Sequence, residues 1–323
     1  MIKDRKYVIY VLYLIVISTL VRALLAAFLE LGNDEVYYRL YALYPDWSHF
    51  DHPLMVGLLM QITTFDLLFQ SEFFLRLGSV IIGAINIWII FNIGKVLKDY
   101  RSGYYSALLY VASLYSSIIT GVFILPDTPQ SLFWLWAILL MIKIVPRCPR
   151  LPVVGLNMLK VGIVIGLGIL SKYTTIFLWF GIGLYILIYN REWLKSKWLY
   201  ISIFISIVIA LPILIWNIQN NFISISFHSN RVDVSGYSID LDYFFTELIG
   251  EILYNNPINY FLIIIALFVA SKGGLKIEKG QLRLLVLSSL PLVITFLIFS
   301  LFRRTLPHWT APGITSLIPL AGI

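Results

Sequence analysis

Apolar runs recur along the chain at about 7–29, 75–97, 102–125, 130–146, 153–171, 173–189, 198–216, 257–271 and 282–301, with a partial run after 311. A helix needs roughly 20 apolar residues to cross the hydrocarbon of a bilayer. The pattern therefore predicts a single polytopic domain over residues 1–323, an all-α bundle of about ten spans. The opening "MIKDRK" precedes an apolar run without a small-residue cleavage site, so it reads as a retained first span. The last run continues for only about a dozen residues beyond Pro312, short of a full crossing. The sequence is accordingly expected to stop inside a span, with a C-terminal region missing.

The segment 53–69, "PLMVGLLMQITTFDLLF", is apolar but carries Gln61, Thr63, Thr64 and Asp66. Charge parity decides how to read it. If it lies along the interface, the basic N-terminus and the clusters near 95–101, 143–150, 191–197 and 272–283 all fall on one side. The other side then holds only Arg39, Arg76, Lys172, Arg231, Arg303 and Arg304 at or near its loops. Making 53–69 a span inverts every later loop and violates the positive-inside rule. An interfacial helix is therefore expected. The polar segments 30–56 and 217–256, "PDTPQ" at 126–130 and "FRRTLPHWT" at 302–310 then share the outer face. All four histidines lie in these segments, which places any chemistry there.

Composition agrees with this class. Hydrophobic residues make up 59% and charged residues 13%, with a mean hydropathy of +0.87, where a soluble domain carries about a quarter charged residues. The net charge of +7 follows from topology rather than from a nucleic-acid partner, because no basic patch is interleaved with aromatics. One cysteine, Cys148, excludes an intrachain disulfide and a cysteine metal cluster. No Gly-Lys-Ser/Thr phosphate loop is present, which argues against nucleotide-driven chemistry.

The candidate chemistry starts at "GNDEVYYRLYALYPDW". Arg39 is one turn from Glu35 and can pair with it, leaving Asp34 as a candidate general base toward an alcohol. A solvated helix start, capped by Asn33 with acids complementing the dipole, accounts for the same residues. In "WSHFDHPL", Asp51 beside His52 can hold a divalent metal, or bind a phosphate as an Asp-oriented imidazolium. An interfacial loop anchored by Trp47 and Phe50 is the alternative. Asp127 in "LPDTPQ" is either a helix cap or an active-site acid. Lys172, between two apolar runs, must snorkel or find an anion, for which a lipid-linked phosphate or a headgroup would serve. Arg303, Arg304 and His308 lie at the same level, and two arginines can grip a phosphate. In the long outer segment, "FISISFHS" alternates like a short strand, whereas "YFFTELIGEIL" suits a helix on the membrane.

The order of Asp-Glu after the first span, "FDHPL", "SEFFLRLGSV", "LPDTPQSLFW", "LSKYT", "LPILIWN" and "HWTAP" resembles the bacterial lipid-linked-sugar glycosyltransferases of the GT-C superfamily. More narrowly it is similar to glycosyltransferase family 39, with its protein O-mannosyltransferases and aminoarabinose transferases of lipid A. The resemblance implies a GT-C helix bundle with juxtamembrane helices in a long first outer loop. It implies a sugar moved from a polyprenyl phosphate to a glycan, lipid or protein hydroxyl on the outer face of a bacterial inner membrane. Asp34, with Glu35, maps to the base motif and Asp127 to the Pro-Asp-Thr-Pro motif. Lys172, Arg303, Arg304, His52 and Arg39 become candidates for the donor phosphate, and Asp51 with His52 for a divalent metal. Leu54 stands where relatives commonly carry a second proline, a mild departure. A transporter or flippase of lipid-linked sugars is the competing class; ionisable groups confined to the outer ends of the spans favour an enzyme.

Overall fold

The computed structural model describes residues 2–233 and 238–323; residues 234–237 of the expected outer segment lie outside the described residues. The described chain is a bundle of α-helices without strands. In order they are α1 (Ile2–Phe28), α2 (Asn33–Leu43), α3 (Met55–Thr63), α4 (Glu72–Leu97), α5 (Tyr100–Ala112), α6 (Asp127–Ile144) and α7 (Pro152–Ser171). There follow α8 (Phe177–Tyr189), α9 (Lys197–Gln219), α10 (Ile223–Val232), α11 (Leu241–Tyr254), α12 (Pro257–Ser271), α13 (Lys279–Phe299) and α14 (Ala311–Ala321).

Among the described residues, α1, α4, α7, α9 and α13 are long and apolar enough to cross a membrane. The pair α11 and α12, bent by 98°, makes a sixth if it forms one span. The remaining apolar runs of the ten expected fold as shorter helices. The run 102–125 is the clearest case, breaking after Ala112 into a π-helix at Tyr115–Ile119. Side chains take up the carbonyls freed at the break, Asn259 Nδ2 that of Leu109 (2.7 Å), Ser117 Oγ that of Val111 and Asn256 Nδ2 that of Ala112 (3.1 Å). Within the π-helix, Arg22 of α1 donates through Nε and Nη2 to the carbonyls of Ser117 (3.2 Å) and Ser116 (3.3 Å). A π-turn presents such carbonyls sideways, and π-bulges often sit at functional sites. The nine-residue α3 is too short to span, as the charge parity requires. Phe65, Asp66 and Leu67, all at positive φ, turn the chain after it.

Packing between the long helices relies on small residues, as it must where lipid is as apolar as the side chains. A Cβ on Gly162 of α7 would lie 2.3 Å from the Ser202 carbonyl of α9, and Ser206 Oγ donates to the Gly162 carbonyl at 2.5 Å. Trp134 Nε1 of α6 donates to Ser316 Oγ of α14 at 2.7 Å. Helices α1 and α9 bury only 17% of their most apolar windows, so their hydrocarbon surface faces outward. The expected strand "FISISFHS" is instead part of α10. Ser224, His228 and Arg231 recur at helical spacing and present one face to a cavity, which the two-residue alternation obscured.

Candidate active site

The site begins where α1 ends. The last carbonyls of a helix lack internal partners, and here Arg76 of α4 supplies them. Its Nη1 donates to Ala26 (3.2 Å) and Leu29 (2.5 Å), and its Nη2 to Glu30 (2.8 Å). The same guanidinium grips Glu35, Nε to Oε1 at 2.8 Å and Nη2 to Oε2 at 2.6 Å. Glu35 also accepts from the backbone N–H of Gly32 (2.9 Å) and of Ile124 (3.1 Å). Gly32, rather than Asn33, is the cap of α2. The expected Glu35–Arg39 pair does not form, because a fully buried guanidinium with three carbonyls to satisfy outcompetes the half-buried Arg39. Arg39 donates to Gln70 Oε1 instead. Glu35 is 3% exposed and sealed from the cavity.

Asp34 differs from its neighbour: it is exposed and lines a cavity of about 610 Å³, a volume that suits a small ligand. Asp51, His52, Asp127, Lys172, His228, Arg231 and His308 line the same space. Arg303 and Arg304 do not. Arg303 donates to the Asn230 carbonyl of α10, and Arg304 is exposed on the loop. Arg231 is the arginine that lines the cavity, with its guanidinium 5.1 Å from the Phe227 ring and 5.0 Å from the Trp309 ring.

Asp127 opens α6, and Lys172 closes α7. Lys172 Nζ donates to both carboxylate oxygens of Asp127 at 2.9 and 2.8 Å, with both residues buried. Tyr115 OH, presented by the π-helix, donates to Asp127 at 3.4 Å. The cation set between two apolar runs therefore has an internal anion.

His52 is driven down to about 3 by burial first and by Lys172 second; His308 falls to about 4, mainly through burial. Burial thus favours the neutral imidazole at both positions, the form in which His52 is a hydrogen-bonding group. Its Nδ1 is buried without a partner. Asp51 accepts from Tyr37 OH (3.0 Å) and from Tyr41 OH. Both phenols meet the same oxygen, Oδ1, and no group of three His, Cys, Asp or Glu side chains is gathered among the described residues, so Asp51 and His52 offer a divalent ion two protein ligands at most. Helix α10 covers this side: His228 Nε2 pairs with the Asp51 carbonyl at 2.8 Å, and Ser224 Oγ donates to the His49 carbonyl at 3.0 Å. Tyr38, Tyr173 and Trp309 also line the cavity; neither they nor His228 and Arg231, which the charge and histidine pattern puts on the outer side, are assigned a role in the site from sequence. Helical spacing along 224–231 is the signal that could have found two of them.

A bundle of apolar helices whose loop acids and basic groups converge on one cavity defines a multi-pass membrane protein with a polar site at its helix ends. Residues 51–216 match the family described as dolichyl-phosphate-mannose-protein mannosyltransferase, and the chain belongs to that family. Its fold is similar to that of ArnT from Cupriavidus metallidurans in the apo state (TM-score 0.73, 19% identity) and bound to undecaprenyl phosphate (TM-score 0.72, 19% identity). Each of these alignments covers 98% of this chain and 59% of ArnT. It is also similar to the archaeal oligosaccharyltransferase AglB from Archaeoglobus fulgidus, solved with an inhibitory peptide and a dolichol-phosphate. That alignment has a TM-score of 0.56 and 12% identity and covers 97% of this chain and 50% of AglB. A search of curated proteins finds no match.

Proposed function

We propose that the chain transfers a sugar from a polyprenyl-phosphate donor to a hydroxyl acceptor on the outer face of a bacterial inner membrane. The observation that carries this reading is the meeting of an exposed carboxylate, Asp34, with the Asp127–Lys172 pair in one cavity at the loop ends of apolar helices. The acceptor hydroxyl gives its proton to Asp34 as its oxygen bonds to the anomeric carbon. The bond from that carbon to the phosphate oxygen breaks on the opposite face, with inversion. Polyprenyl phosphate leaves as a stable anion and needs positive charge rather than an acid. Lys172 and Arg231 supply that charge, and His52 Nδ1 is free to hydrogen-bond the sugar. Positioning contributes as much as proton transfer. The lipid phosphates bound by the ArnT and AglB neighbours support the donor class.

The test uses protein in liposomes with radiolabelled polyprenyl-phosphate sugars and a mixed envelope acceptor, following free polyprenyl phosphate and labelled product. Turnover by the wild type, lost at least ~100-fold in Asp34→Asn, is expected of a general base. Unchanged turnover in the variant removes Asp34 from that role. Movement of lipid-linked sugar across the bilayer without product would make the protein a flippase.

A further inference from the structure

A second cleft opens on the far side of the Tyr41–Asp51 contact. It encloses about 360 Å³ and is lined by Tyr41, Asp46, Trp47, His49 and Gln61 together with proline and leucine side chains. Tyr41 forms part of its wall and donates to Asp51, which lines the main cavity, so the two spaces meet across one side-chain contact. Along α2, Tyr41 lies seven residues beyond Asp34, about two turns away. A group held in the cleft is therefore not the one that reacts at Asp34, although both can belong to one extended molecule.

The lining is built rather than merely exposed. Trp216 Nε1 at the end of α9 donates to Asp46 Oδ2 at 2.7 Å, and the Trp47 N–H donates to Asp46 Oδ1 at 2.7 Å. These bonds fix the carboxylate while it remains open to solvent. Gln61 Nε2 is tied to the Ala42 carbonyl at 3.2 Å, which orients the amide. The His49 ring stacks on Tyr41 at 3.7 Å, and burial lowers its pKa from the ordinary imidazole value. Trp47 is 59% exposed. An interface anchor accounts for an exposed tryptophan, but not for a carboxylate held in place beside it.

An aromatic face beside a fixed carboxylate, an amide and an imidazole suits a polyhydroxylated ring. Its apolar face covers indole, and its hydroxyls bond to acceptors already oriented. Asp46 is the one charged group among the lining residues, so a phosphorylated or carboxylated ligand meets repulsion, whereas an ammonium meets both Asp46 and an indole face. We infer that this cleft binds a neutral or amino sugar of the acceptor, which makes the acceptor a glycan rather than a peptide. The inference rests on the transfer reading only for the word acceptor; saccharide binding stands apart from it.

The experiment titrates the full chain, in maltoside-free lipid nanodiscs and without donor, with manno-, gluco-, glucosamine and N-acetylglucosamine tetrasaccharides and with a phosphorylated mannoside. Tryptophan fluorescence and saturation-transfer NMR read the binding. Saturable binding of a neutral or amino tetrasaccharide, weakened about tenfold or more in both Trp47→Ala and Asp46→Asn, is expected, that being the scale of a lost hydrogen bond to a charged group. No saturable binding, binding untouched by both variants, a preference for the phosphorylated sugar, or capture of a serine-rich peptide instead would overturn it. Trp47→Ala removes an exposed ring, so it keeps the test valid if Asp46→Asn fails to fold. Because no donor is present, failure here leaves the transfer reading standing. Saccharide binding without turnover on any donor would count against transfer alone.

Discussion

Glu35 and Arg76, 41 residues apart in sequence, form a buried bidentate ion pair whose guanidinium also takes the Ala26 carbonyl at the end of α1 and the Leu29 and Glu30 carbonyls just beyond it. Through the Ile124 N–H the same carboxylate reaches the turn that delivers Asp127. Asp34 and Asp127 come from separate segments, and this hub holds both in place without touching the cavity. Removing one partner of a buried pair leaves an uncompensated charge and costs about 3–5 kcal/mol. Arg76→Met also orphans helix-end carbonyls, whereas Glu35→Gln retains an acceptor for Ile124. Arg76→Met should therefore be the more damaging single change. The double variant should stay well below wild type, since the carbonyls remain unpaired. Thermal unfolding of the four proteins in nanodiscs checks this; full recovery in the double variant would mean that the pair alone matters.

Local rules pointed to the wrong partner here, and the reason is physical. An i,i+4 pair on a helix surface is worth a few tenths of a kcal/mol, so a guanidinium with three helix-end carbonyls already assembled around it prevails. No single-sequence pattern announces a contact across 41 positions. The long helices were legible because hydrocarbon run length is itself the physical constraint, and α3 because misplacing it would invert every basic loop. Convergence of Asp34, Asp127 and Lys172 was readable only as a shared level at the outer face. The involvement of α10 was hidden because "FISISFHS" satisfies a two-residue alternation as well as a helical face.

Helix contact between α7 and α9 supplies a simpler check. Gly162→Ala would push a methyl to 2.3 Å from the Ser202 carbonyl oxygen, and backbone cannot yield as a side chain would. Overpacking of this kind costs about 1–3 kcal/mol. A lowered unfolding midpoint is expected, whereas Gly183→Ala on α8, where nothing lies within 4 Å, should leave it unchanged or slightly raised by helix propensity.

His52 and His308 each contribute a pH dependence of defined sign to stability. His52, at about 3, and His308, at about 4, bind fewer protons when folded than when unfolded, where imidazole titrates near 6.5. The unfolded state takes up the extra protons between these values, so stability rises with pH across that window and is lost as pH drops from about 6.5 toward 3. Above about 6.5 these groups contribute no slope. His52→Gln should flatten the dependence of the unfolding midpoint between pH 7.5 and 5. An equally steep profile in the variant would show that His52 titrates normally.

The Asp127–Lys172 pair separates folding from function. Lys172→Met alone strands a buried carboxylate and should cost about 3–5 kcal/mol. Adding Asp127→Asn removes that charge, and an uncharged buried pair of similar volume should recover most of the loss, to within about 1–2 kcal/mol of wild type. Transfer should not recover, because the leaving phosphate then lacks the one buried cation of the cavity. Binding of polyprenyl phosphate should weaken at least tenfold, the scale of a lost charge-assisted contact. Parallel measurements of the unfolding midpoint, polyprenyl-phosphate affinity and product formation decide the matter. Restored turnover in the folded double variant would reduce Lys172 to a partner for Asp127, leaving Arg231 to meet the phosphate.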